Sequence, residues 1–309
     1  AAGNFVTPGS EDYYIARWNG KTWSRLEGKA PDDANNGNYP VLMATDLSGN
    51  LYVTGHFTNS NGKYYIAKWD GNSWSELGDA NYPVKIFEPL TFLTSDKKGN
   101  IYAAGTFGDS LGYSYGIIKW DGHRVSDYAY YNGNLCSLII DSVGNIYAGN
   151  TNRDENGKYY VEKISGNSIS RVGEGANALN SASKITALAL DGKGNLLASG
   201  YNNEGYSKYN EFVAKWDGTT WSKAGSGEGQ YKDGYVSSMV SDDSGNVYAA
   251  SSTISTGAQF SVAKWDGSTW NEFGESHYFD SNIASLAIDT NGNIYAAGIF
   301  GNGRFQFVA

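Results

Sequence analysis

The tripeptide Trp-Asp-Gly, followed three residues later by a second Trp, recurs along this chain of 309 residues. Some copies match the pattern fully, and in others the Asp or one or both Trp are replaced. An internal repeat constrains the fold more than any single residue does, because each repeat corresponds to one structural unit. All nine tryptophans lie in five of the six copies, which are Trp18–Trp23, Trp69–Trp74, Trp120–Val125, Ile164–Ile169, Trp216–Trp221 and Trp265–Trp270; Ile164–Ile169 has none.

A second motif, Asp-x-x-Gly-Asn, recurs about once every 50 residues. An apolar segment precedes it, as in 283–288, and another follows it, as in 294–298. A third segment ends in Lys-Trp, as in 64–69, and the Asp-Gly turn leads to a short fourth one, as in 74–77. Four strands per repeat with no helical pattern predict an all-β chain built from β-propeller blades. The Asp of the motif stands at Asp46, Asp96, Asp141, Asp191, Asp242 and Asp289.

We predict a six-bladed β-propeller of four-stranded blades, because the first and fourth strands of the repeat each occur six times. Residues 1–309 would form a single domain whose closing blade combines about 1–28 with 283–309. The second and third strands each occur seven times, so about one hairpin is left over. Its strands would fray, pair with a neighbouring molecule, or belong to incomplete terminal blades of a seven-bladed propeller.

The charge of the chain bears on its partners. It has 23 Lys and Arg against 32 Asp and Glu, a net charge of −9, without a basic cluster. Nucleic acids and anionic membranes are bound through dense positive charge, so neither is a predicted partner. No segment approaches the roughly 20 apolar residues of a membrane span, so we predict no membrane insertion. Cys136 has no second cysteine with which to form an internal disulfide, and we expect it to be a small buried side chain.

We interpret the Trp and Asp of the motifs as structural. Trp69 and Trp74 flank one hairpin and recur in register, which is typical of packing between blades. The Asp motif offers one carboxylate, whereas a calcium loop needs several converging oxygen ligands, so the Asp is expected to cap its own turn. His56, His123 and His277 show no metal-ligand spacing. We therefore predict no metal, no cofactor and no catalytic residue, the alternative being carboxylates that meet on the propeller axis.

The two sides of the predicted disk differ. On one side lie short, uniform hairpin turns, and on the other lie loops and blade connections of variable length, rich in Tyr, Asn and Asp. Variable loops on a rigid scaffold commonly form binding surfaces, and these residue types suit polar ligands. Turns exposed to solvent favour Asn and Asp in any protein, which is the competing interpretation. The predicted ligand-binding residues are Tyr39, Tyr82, Tyr130, Tyr131, Tyr231, Asp233, Tyr278 and Asp280.

The repeat at residues 135–173 departs furthest from the pattern. Ile164 and Ile169 replace both Trp, and Glu162 replaces the usual Ala. Neutral drift and an asymmetric ligand site beside this blade are the two interpretations.

The phrases Asp-x-x-Gly-Asn-Ile-Tyr-Ala-Ala-Gly-x-Phe and Ile-Ala-Lys-Trp-Asp-Gly-x-x-Trp-Ser-x-Leu-Gly resemble tandem repeats of large secreted or surface proteins of bacteria. They are also similar to the Rax2-like repeats of fungal cell surfaces and, more loosely, to NHL-type propeller repeats. The resemblance implies a propeller that is secreted or held at the cell surface. It brings no catalytic residues with it.

Three functions follow as hypotheses. The leading one is a non-enzymatic extracellular binding or adhesion module that recognises a glycan or a protein through the loop-rich face. The second is a structural propeller that links subunits through self-association of its spare edge strands. The third is an enzyme that cleaves a polysaccharide or an ester, with its carboxylates near the axis.

Overall fold

In the computed structural model, nearly all regular secondary structure of the described residues is β strand. The chain divides into two compact units, Ala1–Asn134 and Leu135–Ala309. Among the described residues, the 3-10 turn Gly175–Asn177 is the one helical element, and no helix is long and apolar enough to span a membrane. The residues described are 15–18, 21–26, 40–78, 85–109, 112–130, 135–150, 152–166, 168–179, 181, 184–203, 209–225, 234–253, 259–273, 283–289, 291–300 and 305–308.

The first unit contains antiparallel sheets made of strands that follow one another in sequence. A two-stranded sheet pairs β1 (Ala16–Trp18) with β2 (Trp23–Arg25). A four-stranded sheet has the order β3 (Pro40–Thr45), β4 (Leu51–Gly55), β5 (Ala67–Trp69) and β6 (Trp74–Glu76). The next has the order β7 (Phe92–Ser95), β8 (Ile101–Asp109), β9 (Gly112–Trp120) and β10 (Val125–Tyr130).

The second unit repeats this arrangement. Its first four-stranded sheet contains β11 (Leu135–Ile140), β12 (Ile146–Asn150), β13 (Val161–Ser165) and β14 (Ser168–Arg171). The second contains β15 (Ala187–Leu190), β16 (Leu196–Asn203), β17 (Tyr209–Trp216) and β18 (Trp221–Lys223). The third contains β19 (Gly234–Ser241), β20 (Val247–Thr253), β21 (Gln259–Trp265) and β22 (Trp270–Phe273). A three-stranded sheet follows, with β23 (Ile283–Ile288), β24 (Ile294–Phe300) and β25 (Phe305–Val308).

Apolar side chains fill the space between successive sheets of each unit. In the first unit, Phe57 and Trp69 belong to a cluster between β1–β2 and the sheet of β3, and Ile86 and Ile101 belong to one between the two four-stranded sheets. Three such clusters separate the four sheets of the second unit. Sheets covered on both faces explain why the strands carry apolar runs and not a strict alternation.

The first strand of each sheet lies beside the first strand of the next one within a unit. β3 contacts β7 in the first unit, and β11, β15, β19 and β23 contact one another in that order in the second. Innermost strands of propeller blades meet in this way. The register of β3, β11, β19 and β23 against the following strand shifts near the loop end of the strand. Such β-bulges increase local twist.

The Trp residues of the repeat pack between sheets, as predicted. Trp216 and Trp221 face each other across one hairpin with ring centroids 5.6 Å apart. A Cβ on Gly173, which belongs to the preceding sheet, would lie 2.9 Å from Trp216 Cζ3. The same relation joins Gly225 to Trp265 and Trp270 of the sheet after it. Glycine at the end of the fourth strand therefore makes room for the Trp pair of the next repeat.

The predicted all-β architecture of four-stranded antiparallel sheets is confirmed and is consistent with a β-propeller. In the described residues, five sheets have four strands, one has three and one has two. The six blades, the single domain and its closure by both termini stay predictions.

Candidate functional site

On the turn side of each sheet, the Asp of Asp-x-x-Gly-Asn is bonded within its own repeat. Asp96 Oδ1 accepts the N–H groups of Lys98 at 2.8 Å and Asn100 at 2.9 Å. Its Oδ2 accepts Asn100 Nδ2 at 2.7 Å and the Tyr102 hydroxyl at 3.2 Å. Burial raises the pKa of Asp96, but the hydrogen bonds from Asn100, Lys98 and Tyr102 outweigh it and leave the pKa below its usual value. The carboxylate therefore serves as a turn cap, as predicted.

A tyrosine six residues after the Asp and a lysine on the neighbouring strand complete this turn cap. In the first repeat, the Tyr52 hydroxyl donates to Asp46 Oδ2 at 3.0 Å, and Lys68 Nζ lies 5.8 Å from the Tyr52 ring centroid. Burial, followed by the contact with Asp46, raises the pKa of Tyr52 to about 12. Lysines lie over the corresponding rings of Tyr102, Tyr147 and Tyr248.

Since these carboxylates are already bonded, the described residues of the turn side offer no free oxygen cluster for a ligand. No group of three or more His, Cys, Asp or Glu that could hold a metal ion occurs among the described residues. Cys136 Sγ donates to the Gly149 carbonyl at 3.3 Å, and burial raises the pKa of its thiol. A thiol of this kind is a poor nucleophile, and its role is packing.

On the opposite, loop side of the first unit, the segment between the two four-stranded sheets is tied to both of them. Ile86 forms β-bridges with Tyr64 beside β5 and with Phe107 of β8, and Tyr64 also bridges Thr58. Ile86 is buried, so both bridges are shielded from water. The connection is thereby held as part of the scaffold.

Backbone bonds fix the residues on either side of Ile86. The Phe87 N–H donates to the Thr106 carbonyl at 3.1 Å, and the Gly108 N–H donates to the Lys85 carbonyl at 3.1 Å. The direction of the Phe87 side chain is thus set by a backbone bonded to β8.

These ties bring together three segments that are separated in sequence, around Lys63, Phe87 and Thr106. Phe87 is 45% exposed, and Lys63 Nζ lies 5.9 Å from the centroid of its ring. Thr106 Oγ1 donates to Glu88 Oε2 at 3.2 Å, and Tyr115 pairs with Thr106 across β8 and β9. The Tyr115 hydroxyl is hydrogen-bonded to Thr91. We call the surface formed by Lys63, Phe87, Glu88, Thr106 and Tyr115 the Phe87 surface.

The second unit has a matching bridge without the aromatic residue. Tyr159 bridges Ser181, and its N–H donates to the Ser181 carbonyl at 2.8 Å. Ser181 corresponds to Ile86, and the residue that follows it in sequence is Ala182. The bridge therefore does not require an aromatic side chain at the position of Phe87.

A turn with the sequence Asn/Asp-x-Asn-Gly-Lys-Tyr-Tyr precedes both bridges, at 59–65 and 154–160. Asn59 Oδ1 accepts the N–H of Asn61 at 3.0 Å, and Asp154 Oδ1 accepts that of Asn156 at 2.9 Å. This third repeated motif was not identified by sequence reasoning, although its residues can be read in the sequence.

The divergent repeat carries a charged cluster around two tyrosines. The Arg153 guanidinium lies 5.0 Å from the Tyr159 ring, and that of Arg171 lies 4.4 Å from the Tyr160 ring. Arg171 Nη1 is 3.5 Å from Glu155 Oε2. The Arg171 guanidinium thus contacts a tyrosine ring and a carboxylate of its own repeat, and Arg153 contacts a tyrosine ring.

The replacements in this repeat have different environments. Ile164 is fully buried, whereas Ile169 is 43% exposed on the short strand β14. Glu162 pairs with Arg171 across β13 and β14. The other repeats have a small or apolar residue at the position of Glu162. Glu162 thus lies opposite the cationic Arg171.

The predicted ligand-binding residues fall almost entirely outside the described residues. Tyr130 is the exception: its backbone ends β10 and pairs with Gly116. The binding role of the whole set stays a prediction. Phe87, Glu88 and Tyr115 were not among the predicted residues, and the one signal for them was a Phe within a polar connection. Those outside the described residues are Tyr39, Tyr82, Tyr131, Tyr231, Asp233, Tyr278 and Asp280.

Comparison with solved structures supports the fold. The chain is similar to YCF48 bound to a D1 peptide, with 12% identity over 96% of this chain and 84% of that one and a TM-score of 0.59. It is also similar to the GH74 xyloglucanase from Xanthomonas campestris, with 15% identity over 86% of this chain and a TM-score of 0.55. This chain spans 44% of the length of the xyloglucanase.

Both neighbours have β-propeller-like folds, and at such identities the likeness extends to the fold alone. No protein-family model and no curated protein matches the chain. Its likeness to bacterial surface, Rax2-like and NHL-type repeats therefore stays a resemblance of motifs.

Proposed function

We propose that this chain is a non-enzymatic extracellular module that binds a glycan or a protein through the Phe87 surface. One observation carries the proposal: Phe87 is 45% exposed on a segment held by two β-bridges, although the bridge itself needs no aromatic residue. A rigid exposed aromatic side chain surrounded by hydrogen-bonding groups is a common anchor in binding sites.

The contrast with the turn side supports the choice of surface. There the carboxylates of Asp46 and Asp96 accept bonds from their own turns, which leaves them no capacity for a ligand. On the Phe87 surface, Thr106, Tyr115 and Glu88 are polar side chains at the surface of a fixed scaffold. Binding is therefore better supported on the loop side.

The two proteins of similar fold show why the function has to be inferred from the binding site and not from the fold. One is a protein solved with a bound peptide, and another is a xyloglucanase. The same fold thus hosts different functions, and function has to be argued from the surface. The extracellular location rests on the resemblance of the motifs to repeats of secreted and surface proteins.

The test is binding of the purified chain to arrays of defined glycans and purified extracellular proteins. We expect at least one ligand to be retained, and to be lost or weakened in Phe87→Ala. Phe273→Ala is the matched control, since Phe273 is 41% exposed on strand β22 of the other unit.

Two outcomes would overturn the proposal: no ligand on either array, or a ligand whose binding is equal in both variants and the wild type. Light scattering of the same samples tests the assembly alternative. Concentration-dependent oligomers with an empty array would favour self-association through edge strands over ligand binding.

A further inference from the structure

We infer that the ligand of the Phe87 surface is a neutral polysaccharide, an inference that rests on the binding function proposed above. The surface combines one exposed aromatic ring with hydrogen-bonding groups of both kinds, and it carries few charges. Each of these properties separates a neutral sugar chain from the other ligand classes.

The Phe87 surface contains one cation, Lys63, and one anion, Glu88, and Lys85 is exposed two residues before Phe87. An anionic polymer is bound through a dense group of cations, whereas those beside this ring are few. With a chain charge of −9, the surface therefore disfavours an anionic ligand.

The apolar area is small. Of the large hydrophobic side chains that are exposed among the described residues, Phe87 is the one on the loop side. Leu47 and Val143 lie in turns between first and second strands, and Ile169 and Phe273 lie on fourth strands. A stable protein interface buries about 800 Å² per partner around a cluster of anchors, so one ring provides too little apolar area for it.

One aromatic ring is, however, the size of one pyranose ring. A pyranose presents C–H groups on its face and hydroxyls around its edge, so its face can stack on Phe87. The Thr106 hydroxyl, whose proton goes to Glu88, can still accept, as can the Glu88 carboxylate, and Lys63 Nζ can donate. These groups match an edge of sugar hydroxyls, which also both donate and accept.

The test is electrophoresis of the native chain through gels that contain a soluble polysaccharide. Galactomannan, mixed-linkage β-glucan and dextran are the neutral probes, and alginate and polygalacturonate are the anionic ones. We expect retardation by at least one neutral probe, weakened about tenfold in Phe87→Ala and unchanged in Phe273→Ala. A pull-down in about 0.1 M and about 0.5 M NaCl is expected to give equal binding, because no ion pair contributes.

The inference is overturned if the neutral probes give no retardation, or if their retardation is equal in wild type and Phe87→Ala. Binding to the anionic probes alone, with loss at high salt, would overturn it as well. A purified protein bound in a Phe87-dependent manner, with no neutral polysaccharide bound, would refute the inference and leave the proposed binding function standing. Circular dichroism of both variants establishes that each is folded.

Discussion

The indole Nε1 of Trp221 donates a hydrogen bond of 2.8 Å to the carbonyl oxygen of Val172. Trp221 begins β18, whereas Val172 directly follows β14, so this bond joins two successive sheets of the second unit. A Cβ on the adjacent Gly173 would lie 3.0 Å from Trp221 Cδ1. The Trp of the repeat thus packs on the preceding sheet and is also hydrogen-bonded to it.

Trp221→Phe is expected to destabilise the fold by about 2 to 3 kcal/mol. About 1 kcal/mol comes from the lost hydrogen bond, which leaves the Val172 carbonyl without this donor, and the remainder comes from the smaller ring. The measurement is chemical denaturation followed by circular dichroism. Trp74→Phe is the control, because Trp74 Nε1 is buried without an acceptor and the change therefore breaks no hydrogen bond. Equal losses in the two variants would contradict the energetic role of the bond.

Gly245→Ala is expected to destabilise the second unit by about 3 kcal/mol or more. Gly245 has a φ of 83°, which costs a residue with a side chain about 1 to 2 kcal/mol, and its new Cβ would collide with the backbone of Gly192. Gly49→Ala separates the two effects, since Gly49 has a φ of 81° and open space around a Cβ. The free energies of unfolding should therefore differ, and a Gly49→Ala variant as unstable as Gly245→Ala would argue against the contact between turns.

The turns show how far sequence reasoning reached. The role of Asp96 followed from the spacing of Asp, Gly and Asn within one hairpin, where all partners are local. The bond from Tyr102 and the stacking of Lys119 on that tyrosine depend on strand register, which the spacing did not reveal. The sequence contains this Tyr and Lys in the repeats of Asp46, Asp96, Asp141 and Asp242 but did not indicate that they meet.

The Phe87 surface was beyond prediction for a similar reason. The connection 79–89 and the loop 106–115 belong to the variable segments of the loop-rich side, and sequence reasoning gave no indication that they lie together. The bridges of Ile86 to Tyr64 and Phe107 bring them together, and bridges between segments distant in sequence leave no local periodicity. The composition of the loops also favoured Tyr and Asp as predicted ligand-binding residues, whereas the exposed ring of this surface is Phe87.

Asp96→Asn is expected to cost about 2 kcal/mol at neutral pH, and less as the solution is made acidic. The folded-state pKa of Asp96 lies below its usual value, so its contribution is complete above the unfolded pKa of about 3.9. It is lost as the pH falls through the folded pKa. Denaturation at pH values from about 7 down to about 2 should show a constant difference above about pH 4 and convergence of the wild type on the variant below it. A difference that stays constant down to about pH 2 would mean that charge on Asp96 does not matter.

Gly105→Ala is expected to be destabilising by about 1 to 3 kcal/mol in the wild type and almost neutral in a Leu90→Ala background. A Cβ on Gly105 would lie 2.6 Å from Leu90 Cδ2, so the methyl overpacks a site next to the Phe87 surface. Leu90 is buried, and Leu90→Ala costs about 2 to 5 kcal/mol because it leaves a cavity that the methyl introduced by Gly105→Ala would partly fill. Unfolding of the four proteins of this double-mutant cycle measures the coupling. Additive effects would show that the connection before β7 does not pack on β8 as the structure has it.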